Sequence, residues 1–182
     1  MSKILSASRI GTLEKCAWSY WCNYHLKVPQ KGNDGAHRGT VCHLVFEFLL
    51  KEKHKHHFES IIEKGSTLTN KPVVRLVKKH LKKLNALNEE NFDMCMDMIL
   101  VGLNHEFYGT GLEVEKPDSE LEFLLENSNP EYKIRGYIDK TFKYPDKVKI
   151  VDYKSSKGKF KGDDLKANVQ AIAEKLEQAK KE

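Results

Sequence analysis

The chain has 182 residues, 40% of them apolar and 31% charged, with a formal net charge of +5 at pH 7. That balance suits a globular domain and excludes a disordered chain. No run approaches the roughly 20 apolar residues of a membrane helix, and residues 1–10 lack the apolar stretch of a secretory signal, so the expected setting is the cytoplasm.

In chain order, Ser6 or Ser8 is positioned to cap a helix running to about Leu26. Its aromatic stripe of Trp18, Tyr20, Trp21 and Tyr24 reads most simply as core packing, with base stacking the sharper alternative. Pro29 to Gly35 is a loop. A second helix is expected from about Ala36 to Leu50, apolar around most of its circumference through Val41, Leu44, Val45, Phe46, Phe48, Leu49 and Leu50. His43 and Glu47, four residues apart, form its polar ridge. The run His54-Lys55-His56-His57 reads as an exposed loop. A third helix follows Pro72, with proline in its first turn. A fourth spans about Glu89 to Tyr108, its stripe containing Phe92, Cys95, Met96, Ile99, Leu100, Leu103 and Phe107.

After Gly109 the period changes from 3.6 to 2. Segments 111–126, 131–143 and 147–154 read as strands with short connections, which predicts an antiparallel meander; a further short strand has no assigned place. From Asp163 or Asp164 the chain reads helical. With no repeat or linker, the expectation is one domain over 1–182, helical to about 109 and carrying its sheet and site from about 110. Of the cysteines, Cys16, Cys22, Cys42 and Cys95, none forms a CxxC pair, so free thiols are expected, Cys42 and Cys95 in the core. Lysines cluster at 51–55, 78–83 and 154–161. Each cluster alone is a solvated face; three around a carboxylate site would suit phosphate contact.

The chemistry concentrates in Val148-Lys149-Ile150-Val151-Asp152-Tyr153-Lys154. Alternation puts Val148, Ile150, Asp152 and Lys154 on one face. A carboxylate ending an apolar face requires compensation, either an ion pair with Lys154 or a bound cation. The preceding strand, Ile134-Arg135-Gly136-Tyr137-Ile138-Asp139, supplies a second carboxylate, and Gly136 would permit close backbone approach there. A hairpin joining Asp139 to Asp152 brings both to one end of the sheet, and oxygen donors of that kind suit Mg²⁺ or Mn²⁺.

Gly136-Tyr137-Ile138-Asp139 followed by Val151-Asp152-Tyr153-Lys154-Ser155 resembles the core of the PD-(D/E)XK nuclease superfamily. Arg38-Gly39-Thr40-Val41-Cys42-His43 is similar to the histidine motif of its RecB-like branch. Ser6-Ala7-Ser8-Arg9-Ile10, running on to Cys16 and Tyr20, resembles how such domains begin, and Gln170 falls near the glutamine of the branch's QxxxY helix. The resemblance covers about residues 4–170. It implies an α/β (α+β) fold with a restriction-endonuclease-like core, in which a central mixed sheet is flanked by helices and the N-terminal half is helical.

It also implies a metal-dependent deoxyribonuclease, more an exonuclease than an endonuclease, leaving 5′-phosphate and 3′-hydroxyl ends. His43, Asp139, Asp152 and the backbone carbonyl of Tyr153 would hold Mg²⁺ or Mn²⁺, and Lys154 would act with Asp139 and Asp152 in catalysis. Gln170, Arg9, Ser155, Glu47 and Glu122 (or Glu120) would support the site or the DNA. The implied partners are DNA and a helicase or recombination protein, with no membrane, in a bacterial cell or phage-infected host. Two departures stand out. Glu174 occupies the place of the QxxxY tyrosine, so the pattern reads as altered or truncated after about Ala171. The relatives that carry an iron–sulfur cluster draw three cysteines from beyond that helix, whereas this sequence has none after Cys95, so no cluster is expected. The alternative is a nuclease fold weakened in catalysis that binds DNA ends or a partner.

Overall fold

Ser6 ends one element and starts the next. It closes the four-residue strand β1 (Lys3–Ser6) and caps helix α1 (Ala7–Lys15), its side chain accepting the Arg9 N–H at 3.3 Å. The computed structural model describes residues 3–29, 32–105, 107–108, 118–126, 131–144 and 148–153. Among them, two compact units separate: one holds the residues up to 29 and those from 120 to 138, the other those from 32 to 119 and from 139 to 153.

In the first unit the single helix expected up to Leu26 is broken. Cys16 adopts extended backbone (φ −165°), and its sulfur accepts the Ser19 N–H to start a new short helix, α2 (Ala17–Tyr20), which widens into a π turn over Trp21–His25. A side chain that caps from inside a helical pattern competes with the continuing ladder, and here it wins. The aromatic stripe is not core packing throughout. Trp18 is 70% exposed and Trp21 47%, the latter stacked on the His25 ring at 4.4 Å. β1 is the strand that periodicity left without a place. It pairs parallel to β3 (Tyr132–Lys143), in the register Leu5↔Ile134. On the other side of β3 lies β2 (Asp118–Glu126). Gly136 serves this packing: a Cβ there would lie 2.1 Å from Cζ of Phe123, a buried ring of β2. The glycine makes room for a neighbouring side chain rather than for a close backbone approach at the site.

The second unit is built on α3 (Asp34–Leu50). Asn33 caps it by accepting the Ala36 N–H at 2.8 Å. Val41, Cys42, Val45, Phe46, Leu49 and Leu50 are buried, so the helix is enclosed on most sides as its composition predicts. The stretch read as a histidine loop is helical instead. After a 3₁₀ turn at Glu52–His54, α4 (Lys55–Lys64) buries Ile61 and ends on Gly65 in left-handed conformation (φ +60°), which suits glycine. Helix α5 (Lys71–Lys83) follows, with Pro72 in its first turn and Asn70 as cap; Val73, Val77 and Leu81 form its buried face. Helix α6 (Glu89–Leu103) stops a turn short of the expected end, yet Phe107 beyond it is still buried, 5.8 Å from the Phe46 ring and 5.4 Å from that of Phe58. Cys42 and Cys95 are buried free thiols, as expected.

Burying a Leu, Ile, Val or Phe side chain gains roughly 1.5–3 kcal/mol, so the continuous core shared by α3, α5 and α6 dominates the unit's stability. The distal part of β3 pairs antiparallel with β4 (Val148–Val151), Lys140 opposite Val151 and Lys143 opposite Val148, which is the expected hairpin. Parallel β1 and antiparallel β4 on one strand make the sheet mixed, and helices with a mixed four-stranded sheet give the expected α/β class.

Candidate active site

The β3–β4 ladder ends at Lys140 and Val151. One step further along the same register stand Asp139 and Asp152, the two carboxylates that the strand pattern brought to one end of a hairpin. Asp139 is held from two directions. Its Oδ2 accepts the backbone N–H of Tyr153 at 2.8 Å, and its Oδ1 lies 3.3 Å from Nδ1 of His43 on α3. Helix and hairpin of the second unit therefore meet at this carboxylate. The side chains are partly shielded, 33% exposed for His43 and 19% for Asp139.

The electrostatics follow from this contact. Burial pushes the Asp139 carboxyl upward, but the hydrogen bond and charge of His43, the Tyr153 N–H and the contact with Asp152 outweigh it, so the group stays below its ordinary value. The hydrogen bond to Asp139 raises the His43 imidazole, and the charge of Asp152 adds to that, against the opposing effect of burial.

Tyr153 anchors the end of β4. Its ring stacks on Phe46 at 4.3 Å and meets His43 edge-on at 6.4 Å. Its hydroxyl receives the Lys140 ammonium at 3.3 Å, and burial pushes that hydroxyl above the ordinary tyrosine range. Lys140 itself is fully buried. Its ammonium donates to the Phe107 carbonyl and sits 3.8 Å from the centroid of the Phe107 ring and 4.7 Å from that of Phe142. Burial, with the charge of Lys149 adding to it, pulls this amine down to about 7. Sequence reasoning passed over Lys140, although alternation places it between Ile138 and Phe142, both fully buried.

A cavity of about 460 Å³ opens beside these groups, with His43 and Asp152 at its edge and Phe46, Met98, Val101 and Tyr153 in its walls. Asp97 and His105, which sequence reading did not single out, also line it. Gly102 lines it as well, and the Phe46 ring fills the space a side chain there would need: a Cβ would lie 2.4 Å from its Cζ.

The other expected residues that are described have contacts of their own. Glu47 is engaged by Lys51 at 2.8 Å. Glu122, on β2 in the first unit, holds Arg135 Nε at 3.1 Å and accepts from the Tyr137 hydroxyl at 3.4 Å. Arg9 donates to the Ile4 carbonyl at 3.2 Å and covers the Tyr24 ring at 4.9 Å. Lys154, Ser155 and Gln170 lie outside the described residues, as does Glu174. Among the described residues, no three His, Cys, Asp or Glu side chains converge as a finished metal-ligand shell. The donor chemistry nevertheless fits a hard cation, since two carboxylates, an imidazole and a strand-end carbonyl are oxygen and nitrogen donors of the right kind. Among the described residues no helix is long and apolar enough to cross a membrane.

Three curated relatives, each named as a subunit of an ATP-dependent helicase/deoxyribonuclease, come from Streptococcus agalactiae serotypes Ia, V and III. Each is 29% identical to the chain over 160 residues, which is 86% of this chain and 14% of the relative. The chain thus spans only about a seventh of the length of the relatives it matches. No solved structure matches it. The model of the PD-(D/E)XK nuclease superfamily matches residues 4–173, and the chain belongs to that superfamily, in its RecB-like branch.

Proposed function

We propose that the chain is a divalent-metal-dependent deoxyribonuclease, acting as an exonuclease and leaving 5′-phosphate and 3′-hydroxyl ends. The observation that carries this reading is the meeting of His43, from α3, with Asp139 at the open end of the β3–β4 hairpin, one register step from Asp152. A Mg²⁺ or Mn²⁺ ion held by His43, Asp139, Asp152 and the Tyr153 carbonyl would supply charge neutralisation for the phosphoryl oxygens. Asp139 keeps the hairpin end in register through the Tyr153 amide, and His43 orients the carboxylate from the helix side. Lys154, two residues beyond Asp152, is assigned by resemblance to orient the attacking water and share the phosphate's charge. The names of the curated relatives support a further reading, that the chain works with a helicase or recombination partner.

The test is cleavage of linear and covalently closed DNA by the purified chain with Mg²⁺ or Mn²⁺ against EDTA. Linear DNA is expected to shorten from its ends while closed circles persist. Asp139→Ala and Asp152→Ala should each abolish cleavage with the fold intact, and Asp139→Ala should also remove Mn²⁺ binding by calorimetry. Intact linear DNA in the presence of folded protein and metal would overturn the reading. It would favour instead a DNA-end or partner-binding module, which Glu174 at the QxxxY position also favours.

A further inference from the structure

Helix α5 reads Lys-Pro-Val-Val-Arg-Leu-Val-Lys-Lys-His-Leu-Lys-Lys over 13 residues. Its inner face, Val73, Val77 and Leu81, is buried in the core, and its outer face carries Lys71, Arg75, Lys78, Lys79, Lys82 and Lys83, all exposed, with no acidic residue. The formal net charge of the whole chain is +5, so this one helix holds more positive charge than the protein does in total. The excess is local rather than spread.

Among the described residues none of these six cations takes part in an ion pair, although Glu89 and Glu90 stand in the first turn of α6. Lys78 alone has an aromatic contact, 5.0 Å above the Phe92 ring. Like charges four residues apart on a helix repel. Lys71 and Arg75, Arg75 and Lys79, Lys78 and Lys82, and Lys79 and Lys83 are such pairs, so the helix carries a repulsion that a polyanion would relieve. No residue of α5 lines the cavity at the candidate site.

We propose that the outer face of α5 is a docking surface for the phosphate backbone of DNA, separate from the site that would cut it. The identity of the polyanion rests on the nuclease reading; the surface itself rests on charge and geometry. Lys71, Arg75, Lys79 and Lys82 form one ridge, at steps of roughly 5–6 Å. At 1.5 Å per residue the ridge spans about 17 Å, over which one strand of duplex DNA presents about five phosphates. A straight helix face with four to six cations matches that charge density without base contacts, so the binding is independent of sequence.

The test is the salt dependence of binding to a 20-base-pair duplex, and to its single strand, by fluorescence anisotropy in EDTA. Each phosphate contact contributes about 0.9 to the slope of log K against log salt for duplex DNA and about 0.7 for single strands. In Lys71→Gln/Arg75→Gln/Lys79→Gln/Lys82→Gln the slope should fall by about three to four on duplex and about three on single strands, with at least a tenfold loss of affinity. Replacing exposed Lys15, Lys27, Lys64 and Lys143 by Gln changes net charge equally and should leave the slope almost unchanged.

Should the quadruple variant lose its helical signal, Lys79→Gln/Lys82→Gln alone should remove about half of the effect. An unchanged slope, an equal loss in the control variant, no DNA binding by the wild type, or loss of binding to an acidic protein with DNA binding kept would each overturn the inference. Salt-dependent binding without metal-dependent cleavage would overturn the nuclease reading alone. Cleavage and Mn²⁺ binding retained with an unaltered slope in the α5 variant would overturn this inference alone.

Discussion

Helices α3 and α5 pack in the same core, but they divide polar from apolar in opposite ways. α3 is apolar almost all round and admits a few polar side chains, one of which, His43, meets Asp139. α5 splits cleanly into a buried valine–leucine edge and an exposed row of cations. In an enclosed helix the exceptions carry the chemical information, because each must justify its desolvation. In a half-exposed helix the polar side chains cost nothing individually, and only their arrangement is informative.

This contrast can be broken or sharpened by measurement. The largest effect is expected in the last turn of α3. Leu49→Ala, at a fully buried position, should lower the unfolding free energy by about 3–5 kcal/mol in denaturant titration, whereas any single Lys→Gln change on the outer face of α5 should stay within about 0.5 kcal/mol. Equal costs would show that the two helices are not differently embedded. Next is Gly102→Val, which must displace the Phe46 ring. It should cost about 1–3 kcal/mol, and repacking with Phe46→Leu should recover part of that loss.

Lys140 sharpens the comparison from the other side, as a lysine treated like an α3 residue. Its amine falls from an ordinary 10.5 to about 7 on folding, so between those pH values the unfolded chain binds more protons than the folded one. Stability should therefore rise with pH through that window, the cost of the buried charge being fully present below about 7. Lys140→Met should flatten the slope and add about 1–3 kcal/mol near pH 6, read from metal-free thermal unfolding at several pH values. A variant that keeps the wild-type slope would locate the titrating group elsewhere. The smallest effect belongs to the Asn70 cap of α5, where Asn70→Ala should cost about 1 kcal/mol and Asn70→Asp should recover little of it, because the buried amide also donates to the His57 carbonyl.

Much of this was legible in the sequence. The 3.6-residue rows of α3, α5 and α6 and the period-2 runs of β2 to β4 gave their elements directly, because local periodicity alone distinguishes helix from strand. The order of His43, Asp139 and Asp152 carried the family, and the register set by Lys140 and Val151 brings the two aspartates level. What escaped depended on partners distant in sequence. β1 has only four residues and gains its identity from pairing with β3. The break at Cys16 comes from a thiol capping the following turn. α4 was masked by its histidines, and only Phe58 and Ile61, three apart and facing the core, signalled a helix. Gly136 was read as permitting close backbone approach at the site, but the space it leaves is filled by the Phe123 ring, thirteen residues earlier, which no local pattern identifies.

The amide of Tyr153 donates to an Asp139 side-chain oxygen of β3 rather than to a backbone carbonyl, which makes it a natural sentinel for the open end of the hairpin. Its exchange with deuterium should report the opening of this corner, separately from the slower helical amides beneath it. A cation competing for that carboxylate would then register as altered protection at one backbone position, visible without any substrate being turned over.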